Sequence, residues 1–191
     1  MIVANNSKAG QLRIIGGSWR GRKIDFVTEP GVRPTPDRIR ETLFNWLQTS
    51  IAGTRCLDLF SGSGALGFEA LSRGASEVVM IEQSSAAIKQ LRTNASLLKT
   101  DSAQVEQCNA DNYLQRPAQP FDIIFLDPPF GTDTLEGYCT LLESSGWLAP
   151  HAQVYMERAR GTPAPQLPAG WQLHREKQAG KVCYALAIRR N

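Results

Sequence analysis

The sequence predicts an α/β fold: a mostly parallel sheet with helices on both faces, introduced by a short β-hairpin arm and closed by an antiparallel hairpin. Three observations predict it. From Arg55 to Glu157, short apolar runs alternate with segments whose apolar residues recur at helical spacing. The turn after the first run, Ser61-Gly62-Ser63-Gly64, falls where an open parallel sheet forms its ligand crevice. Two polar-apolar stretches at the end of the chain flank Ala179-Gly180, a hairpin turn.

The elements follow in order. Leu12-Arg13-Ile14-Ile15 and Lys23-Ile24-Asp25-Phe26 read as two strands around a Gly/Arg-rich turn over 16–21, which makes residues 1–33 a basic arm. Thr35-Pro36-Asp37 supplies a capping hydroxyl, a proline at the first helical position and an early acid, so a helix is expected over 36–49 with Ile39, Leu43 and Trp46 inward. Residues 34–191 form the main domain. Its strands are expected at 55–60, 77–82, 105–110, 121–127 and 153–157. Its helices fall at 65–73, stopped by Gly74, after the Ser84 cap with Ile88, Leu91, Ala95 and Leu98 on one face, and at 135–144. Pro163, Pro165 and Pro168 mark a loop before the final hairpin, 171–177 and 181–189.

Composition narrows the function classes. With 42% hydrophobic and 20% charged residues, the 191-residue chain is neither disordered, nor collagen-like, nor a coiled coil. No apolar run nears a membrane span and the start lacks a signal-peptide core, so a cytoplasmic protein without a membrane partner is expected. Cys56, Cys108, Cys139 and Cys183 form no C-x-x-C pair, and the two histidines, His151 and His174, stand alone; reduced thiols and no metal are expected. The net charge of +3 hides an asymmetry. Residues 1–45 carry eight bases against four acids and residues 157–191 seven against two, which leaves the centre net negative by six. Basic ends suit a polyanion, and an acidic centre suits a cationic or hydroxyl-rich ligand.

Gly62, Gly64 and Gly67 complete G-x-G-x-x-G, a pattern that alone also admits a nicotinamide dinucleotide. The acids at successive strand ends are more specific: Asp58, Glu82, Asp111 and Asp127 should line one crevice. Glu82 is placed to accept both hydroxyls of a ribose, Asp111 an adenine amine, and Asp58 suits an ammonium. S-adenosylmethionine carries all of these groups and a sulfonium. The run from Asp58 through Phe60, Gly62 and Gly64, with Glu82 after the second strand, resembles the class I S-adenosylmethionine-dependent methyltransferases. The resemblance implies a Rossmann-like, seven-stranded sheet ending in an antiparallel hairpin, with S-adenosylhomocysteine as product.

Asp127-Pro128-Pro129-Phe130 ends the apolar run 121–126. Its prolines fix the backbone and remove two amide donors, so the Asp127 carboxylate and the Pro128 carbonyl can present acceptors together to an N–H2 group. Accepting both hydrogens of an exocyclic base amine turns its delocalised lone pair toward the methyl carbon, while Phe130 stacks on the base. The tetrapeptide resembles the [Asp/Asn/Ser]-Pro-Pro-[Tyr/Phe/Trp] pattern of methyltransferases acting on amino nitrogens, whatever the base.

Two further blocks, Arg13-Ile-Ile-Gly-Gly-Ser-Trp-Arg-Gly-Arg-Lys23 and Arg33-Pro-Thr-Pro-Asp-Arg-Ile-Arg-Glu-Thr-Leu-Phe-Asn45, resemble the bacterial RsmD family, 16S rRNA (guanine(966)-N2)-methyltransferases. The likeness spans nearly the whole chain and implies 16S rRNA or a small-subunit assembly particle as partner. Read physically, Arg13, Trp19, Arg20, Arg22 and Lys23 form an arm suited to phosphates and a stacked base, with Arg175, Lys177 and possible backbone contacts from His174 and Lys181 in the tail hairpin. Arg38, Thr42 and Asn45 are candidates near the cofactor. A monomer is expected. The rival readings are a DNA or tRNA amino-methyltransferase, a nicotinamide oxidoreductase, which the scarcity of histidine disfavours, and a non-catalytic RNA-binding protein, which leaves Asp-Pro-Pro-Phe unexplained.

Overall fold

A computed structural model describes residues 9–28, 34–129 and 135–190. The arm is a two-stranded antiparallel hairpin, β1 (Ala9–Arg13) and β2 (Lys23–Val27), with Leu12 opposite Ile24 and Arg13 opposite Lys23. Leu12 and Ile24 are buried while Arg13 and Lys23 are exposed, the alternation a half-buried ribbon requires. α1 (Asp37–Trp46) follows, then β3 (Arg55–Asp58), α2 (Ala65–Ser72), β4 (Glu77–Glu82), α3 (Ser85–Leu98), β5 (Ala103–Gln107), α4 (Ala110–Leu114) and β6 (Phe121–Leu126). α5 (Leu135–Ser144), β7 (Leu148–Ala159), β8 (Trp171–Ala179) and β9 (Val182–Arg189) complete the order.

The main sheet has seven strands in the order β5-β4-β3-β6-β7-β9-β8. The first five are mutually parallel, and β9 runs antiparallel to both β7 and β8. This is the Rossmann-like fold of the methyltransferases. The chain winds outward from β3 to β5 and then returns to β6 on the other side of β3. The order therefore reverses between β3 and β6, which places a crevice beyond their carboxyl ends.

Two apolar clusters cover the two faces. One joins α1, α2 and α3 to Cys56, Met80, Phe125 and Tyr155 and includes Leu12, Ile14 and Ile24 of the arm. The other packs α4 and α5 under Leu57, Val79, Ile124 and Val154. Ser84 caps α3 as expected, its side chain accepting from the Ala87 amide. Asn109 likewise caps α4, a one-turn helix that the strand expected over 105–110 overran.

The arm is fastened to α2 by a buried carboxylate that the sequence did not reveal. Glu69, fully buried, accepts from the amides of Ile15 and Gly16 at 2.8 Å each, from Arg73 Nε at 2.8 Å and from Arg40 Nη1 at 3.4 Å. Arg40 is 1% exposed and also reaches the Arg13 carbonyl at 3.0 Å and Asp37 at 2.6 Å. Ser72 adds a link from the same helix, its carbonyl and hydroxyl receiving the amides of Ser18 and Trp19. A buried charge is tolerated only when paired and hydrogen-bonded, and here one carboxylate serves two arginines and two backbone amides.

The start of α1 departs from expectation. Its N-cap residue is Pro36, with no side-chain capping bond, and the Thr35 hydroxyl points instead to Asp127.

Candidate active site

The site is assembled by strand periodicity. Along β3, β6 and β7, alternate residues Cys56 and Asp58, Phe125 and Asp127, and Tyr155 and Glu157 fall on the face that packs against α1, because side chains repeat every second residue. Phe125 lies beside both Asp58 and Tyr155 in register, so the carboxyls of Asp58, Asp127 and Glu157 gather at one edge.

The glycine turn closes around them. Gly64 adopts φ +77° at the N-terminus of α2, and a Cβ there would lie 2.5 Å from Leu91 Cδ2 and 2.7 Å from Phe68 Cε2, so only glycine fits. Gly67 lets α2 approach β4, a Cβ there meeting Met80 Cε at 2.7 Å. Asp58 is 2% exposed; its carboxylate accepts from the Gly67 amide at 3.2 Å and its carbonyl from Ser61 Oγ at 3.0 Å. Glu82 is fixed by three amides, Gly62 at 2.9 Å on one oxygen and Gln83 and Ser84 at 2.8 and 2.7 Å on the other. Oε1 thus accepts two amides and Oε2 one, so the remaining acceptor capacity is on Oε2.

Asp111, at the first turn of α4, accepts from the Tyr138 hydroxyl at 2.9 Å, and Tyr138 meets Phe60 edge-on with ring centroids 5.4 Å apart. Phe60 and Asp111 are thus brought together by α5, which the sequence did not anticipate. Burial and the bond to Asp111 push the Tyr138 phenol up to about 12.

The buried acids are tuned by one another. Burial, then repulsion from Asp127, pushes the Asp58 carboxyl up to about 7. Burial raises Asp127 to about 6, against the hydrogen bond from Thr35. Burial and then Asp127 raise Glu157 to about 8. Among the described residues, none of Asp58, Glu82, Asp111, Asp127 and Glu157 is ion-paired to a Lys or Arg. A cluster of carboxyls without a resident cation fits a ligand that brings positive charge and hydroxyl donors. No group of three or more His, Cys, Asp or Glu among the described residues could hold a metal ion.

Other sequence candidates lie elsewhere or outside the described residues. Pro128 and Pro129 follow Asp127 at the crevice, whereas Phe130 lies outside the described residues, as does Arg33. Arg38 is exposed on α1, and the Thr42 hydroxyl donates to the Arg38 carbonyl at 2.9 Å; Asn45 is exposed on the same helix. Arg13, Arg20, Arg22 and Lys23 are exposed and Trp19 is half-buried, packed against the core; Arg22 also donates to the Leu97 carbonyl at 2.7 Å, at the end of α3. Arg175 and Lys177 are exposed on β8, an edge strand. The four cysteines are free thiols. Glu157, Tyr155, Thr35 and Tyr138 were missed. Glu157 carried a usable signal: like Asp127, it is an acid that directly follows an apolar run in which two strands pair in parallel.

The fold and the strand-end acids define a protein of the Rossmann-like methyltransferase class. A family model described as "Conserved hypothetical protein 95" matches residues 12–188, and the chain belongs to that family, the RsmD family. It is 50% identical over 186 residues to the ribosomal RNA small subunit methyltransferase D of Escherichia coli K12, covering 97% of this chain and 94% of that protein. The protein of the same name from Haemophilus influenzae is 45% identical, with 97% of each chain covered. A solved Escherichia coli structure described as a putative methyltransferase superposes with a TM-score of 0.87 at 50% identity, covering 94% of this chain and 98% of the other.

Proposed function

We propose that this chain transfers a methyl group from S-adenosylmethionine to the exocyclic N2 amine of a guanine in 16S rRNA, by direct in-line displacement, in the cytoplasm and as a monomer. One observation carries the reading. β6 delivers Asp127-Pro128-Pro129 to the same sheet edge that holds the glycine turn and Glu82, which supports an amine acceptor beside a cation-binding rim. The substrate class is supported by the likeness to small-subunit rRNA methyltransferases over nearly the whole chain.

In this reading Glu82 takes the ribose hydroxyls, Asp111 and Phe60 receive the adenine, and the acidic rim of Asp58 holds the cationic end. When bound, S-adenosylmethionine supplies an electrophilic methyl carbon. The Asp127 carboxylate and the Pro128 carbonyl accept the two amine hydrogens and orient the nitrogen lone pair along the line of attack. Asp127 also offsets the positive charge that develops on nitrogen. As the N–C bond forms, the S–C pair stays on sulfur and one N–H proton leaves toward Asp127 or water. Phe130 is assigned to stacking on the guanine.

The arm supplies RNA affinity. A groove of about 410 Å³ runs between the hairpin and the segment before α1, lined by Arg13, Lys23, Phe26, Pro34 and Thr35 among others. It joins two basic side chains to Thr35, the residue in contact with Asp127. We assign Arg13, Trp19, Arg20, Arg22 and Lys23 to RNA contact, with Arg175 and Lys177 as outlying phosphate contacts.

Labelled S-adenosylmethionine offered with small ribosomal subunits, naked 16S rRNA, tRNA and duplex DNA tests the proposal. The expected product is N2-methylguanine in the 16S rRNA. In the same assay Asp127→Ala loses turnover by at least about a hundredfold, while donor affinity measured by calorimetry is largely kept. Methyl transfer to DNA or tRNA alone, or near-normal turnover in Asp127→Ala, contradicts the reading.

A further inference from the structure

Tyr138 has no part in the scheme above, yet it touches both residues assigned to the adenine. Its hydroxyl donates to Asp111 Oδ1 at 2.9 Å, and its ring stands at 71° to that of Phe60 with centroids 5.4 Å apart. The three come from separate parts of the chain. Phe60 follows β3, Asp111 lies in the first turn of α4, and Tyr138 lies in the first turn of α5. Phe60 and Tyr138 are half-buried against the apolar cluster under α4 and α5, whereas Asp111 is exposed. The chain just before Asp111 is tied to the ribose-accepting residue, since the Cys108 amide donates to the Glu82 carbonyl at 3.0 Å.

An exposed carboxylate turns about its own side-chain bonds and offers either oxygen to a ligand. Stopping that motion on binding costs free energy. The Tyr138 hydroxyl stops it beforehand. Oδ1 takes the phenol proton, and among the described residues no other side chain donates to Asp111, so Oδ2 is the oxygen left open. Burial and then the bond to Asp111 push the phenol up to about 12, so Tyr138 keeps a proton to give throughout the neutral range. The ring acts separately, its tilted contact fixing the plane of Phe60.

We infer that Tyr138 is a positioning residue of the donor pocket: its hydroxyl holds Oδ1 of Asp111 so that Oδ2 is aimed at a 6-amino group, which makes the pocket select adenine over a 6-oxo purine. This role rests on the proposed donor assignment, though not on which base is methylated. An adenine presents N–H to Oδ2 and forms a hydrogen bond. A 6-oxo purine presents lone pairs there, and two acceptors face one another unpaired.

Calorimetry on the full chain with S-adenosylhomocysteine and its 6-oxo analogue, S-inosylhomocysteine, tests the role without RNA. The parent is expected to prefer the adenosyl ligand at least about tenfold. Tyr138→Phe keeps the ring beside Phe60, so it reads the hydroxyl alone. It is expected to bind S-adenosylhomocysteine about two- to tenfold more weakly, the range set by immobilising one side chain. Its affinity for S-inosylhomocysteine is expected to stay unchanged, so the preference narrows by the same factor. In an Asp111→Ala background the same change is expected to alter neither affinity, because the hydroxyl then has nothing to position.

An equal loss for both ligands in Tyr138→Phe, with the fold intact by circular dichroism, overturns the inference and shows a packing role only. Unchanged adenosyl affinity in Tyr138→Phe overturns it too, as does a full effect of that change in the Asp111→Ala background or a parent without preference. If the parent binds neither ligand, the donor assignment falls and this role falls with it. If the parent binds S-adenosylhomocysteine with the expected pattern but methylates no RNA, only the substrate reading falls.

Discussion

Replacing Glu69 by glutamine tests how the arm is held to the methyltransferase sheet. The side chain keeps its size and loses its charge, so the change isolates the electrostatic part of the anchor. Glu69 accepts four hydrogen bonds from four donors, two of them backbone amides of the arm, and is fully buried. In the variant one of the two oxygens becomes an NH2 group that faces donors. Removing one member of a buried ion pair costs about 3–5 kcal/mol. Arg40 keeps the Arg13 carbonyl and Asp37 as partners, and Arg73, 17% exposed, keeps part of its solvation. The expected loss therefore sits near the low end, about 3 kcal/mol, a large share of the roughly 5–15 kcal/mol typical of a domain. Urea unfolding followed by far-ultraviolet circular dichroism reads the loss. Hydrogen exchange at the amides of Ile15, Gly16 and Trp19 reads where it falls. A loss below about 1 kcal/mol with those amides still protected would show that apolar burial of Leu12, Ile14 and Ile24 holds the arm without the carboxylate.

Two other perturbations follow from the same geometry. The carboxyls of Asp58, Asp127 and Glu157 are raised to about 7, 6 and 8 on folding, so the folded state binds protons more tightly than the unfolded chain. Their contribution to stability is complete below the unfolded values near pH 4 and is lost as pH climbs through about 6 to 8. Thermal midpoints are expected to fall across that window, with S-adenosylmethionine stabilising the protein more at pH 8 than at pH 6, and a rising midpoint over the same interval would contradict the cluster. Gly64→Ala forces an alanine to φ +77° and drives its Cβ to 2.5 Å from Leu91. It should cost about 1–3 kcal/mol and lower donor affinity at least tenfold in calorimetry. Gly67→Ala should cost less, because it meets only the flexible end of Met80. Equal stability of Gly64→Ala and the parent would refute the role given to that turn.

What could be read from the chain alone divides along a physical line. Asp58, Glu82 and Asp127 were legible because each ends an apolar strand, and parallel strands carry such ends to one edge whatever their order. Thr35 was misread for a reason equally local: Thr-Pro-Asp before an amphipathic segment is a helix-start pattern, and nothing within four residues shows that Asp127, 92 residues away, competes for the hydroxyl. The Arg40–Glu69 pair was hidden in the same way. Arg40 lies on the buried stripe of α1 with Ile39, Leu43 and Phe44, and long charged side chains on a helix usually reach water. Glu69 had a clue of its own, since α2 is buried all round from Ala65 to Ser72 and an acid in such a helix requires a cation and donors from elsewhere in the chain. Glu157 is also a buried acid, at the end of the buried run 154–157 of β7, but it faces Asp127 and Asp58 rather than a cation. Strand periodicity tells which side chains share an edge, but only the pairing of β6 with β7 and the course of the chain into α1 decide which of them meet, as Thr35 meets Asp127.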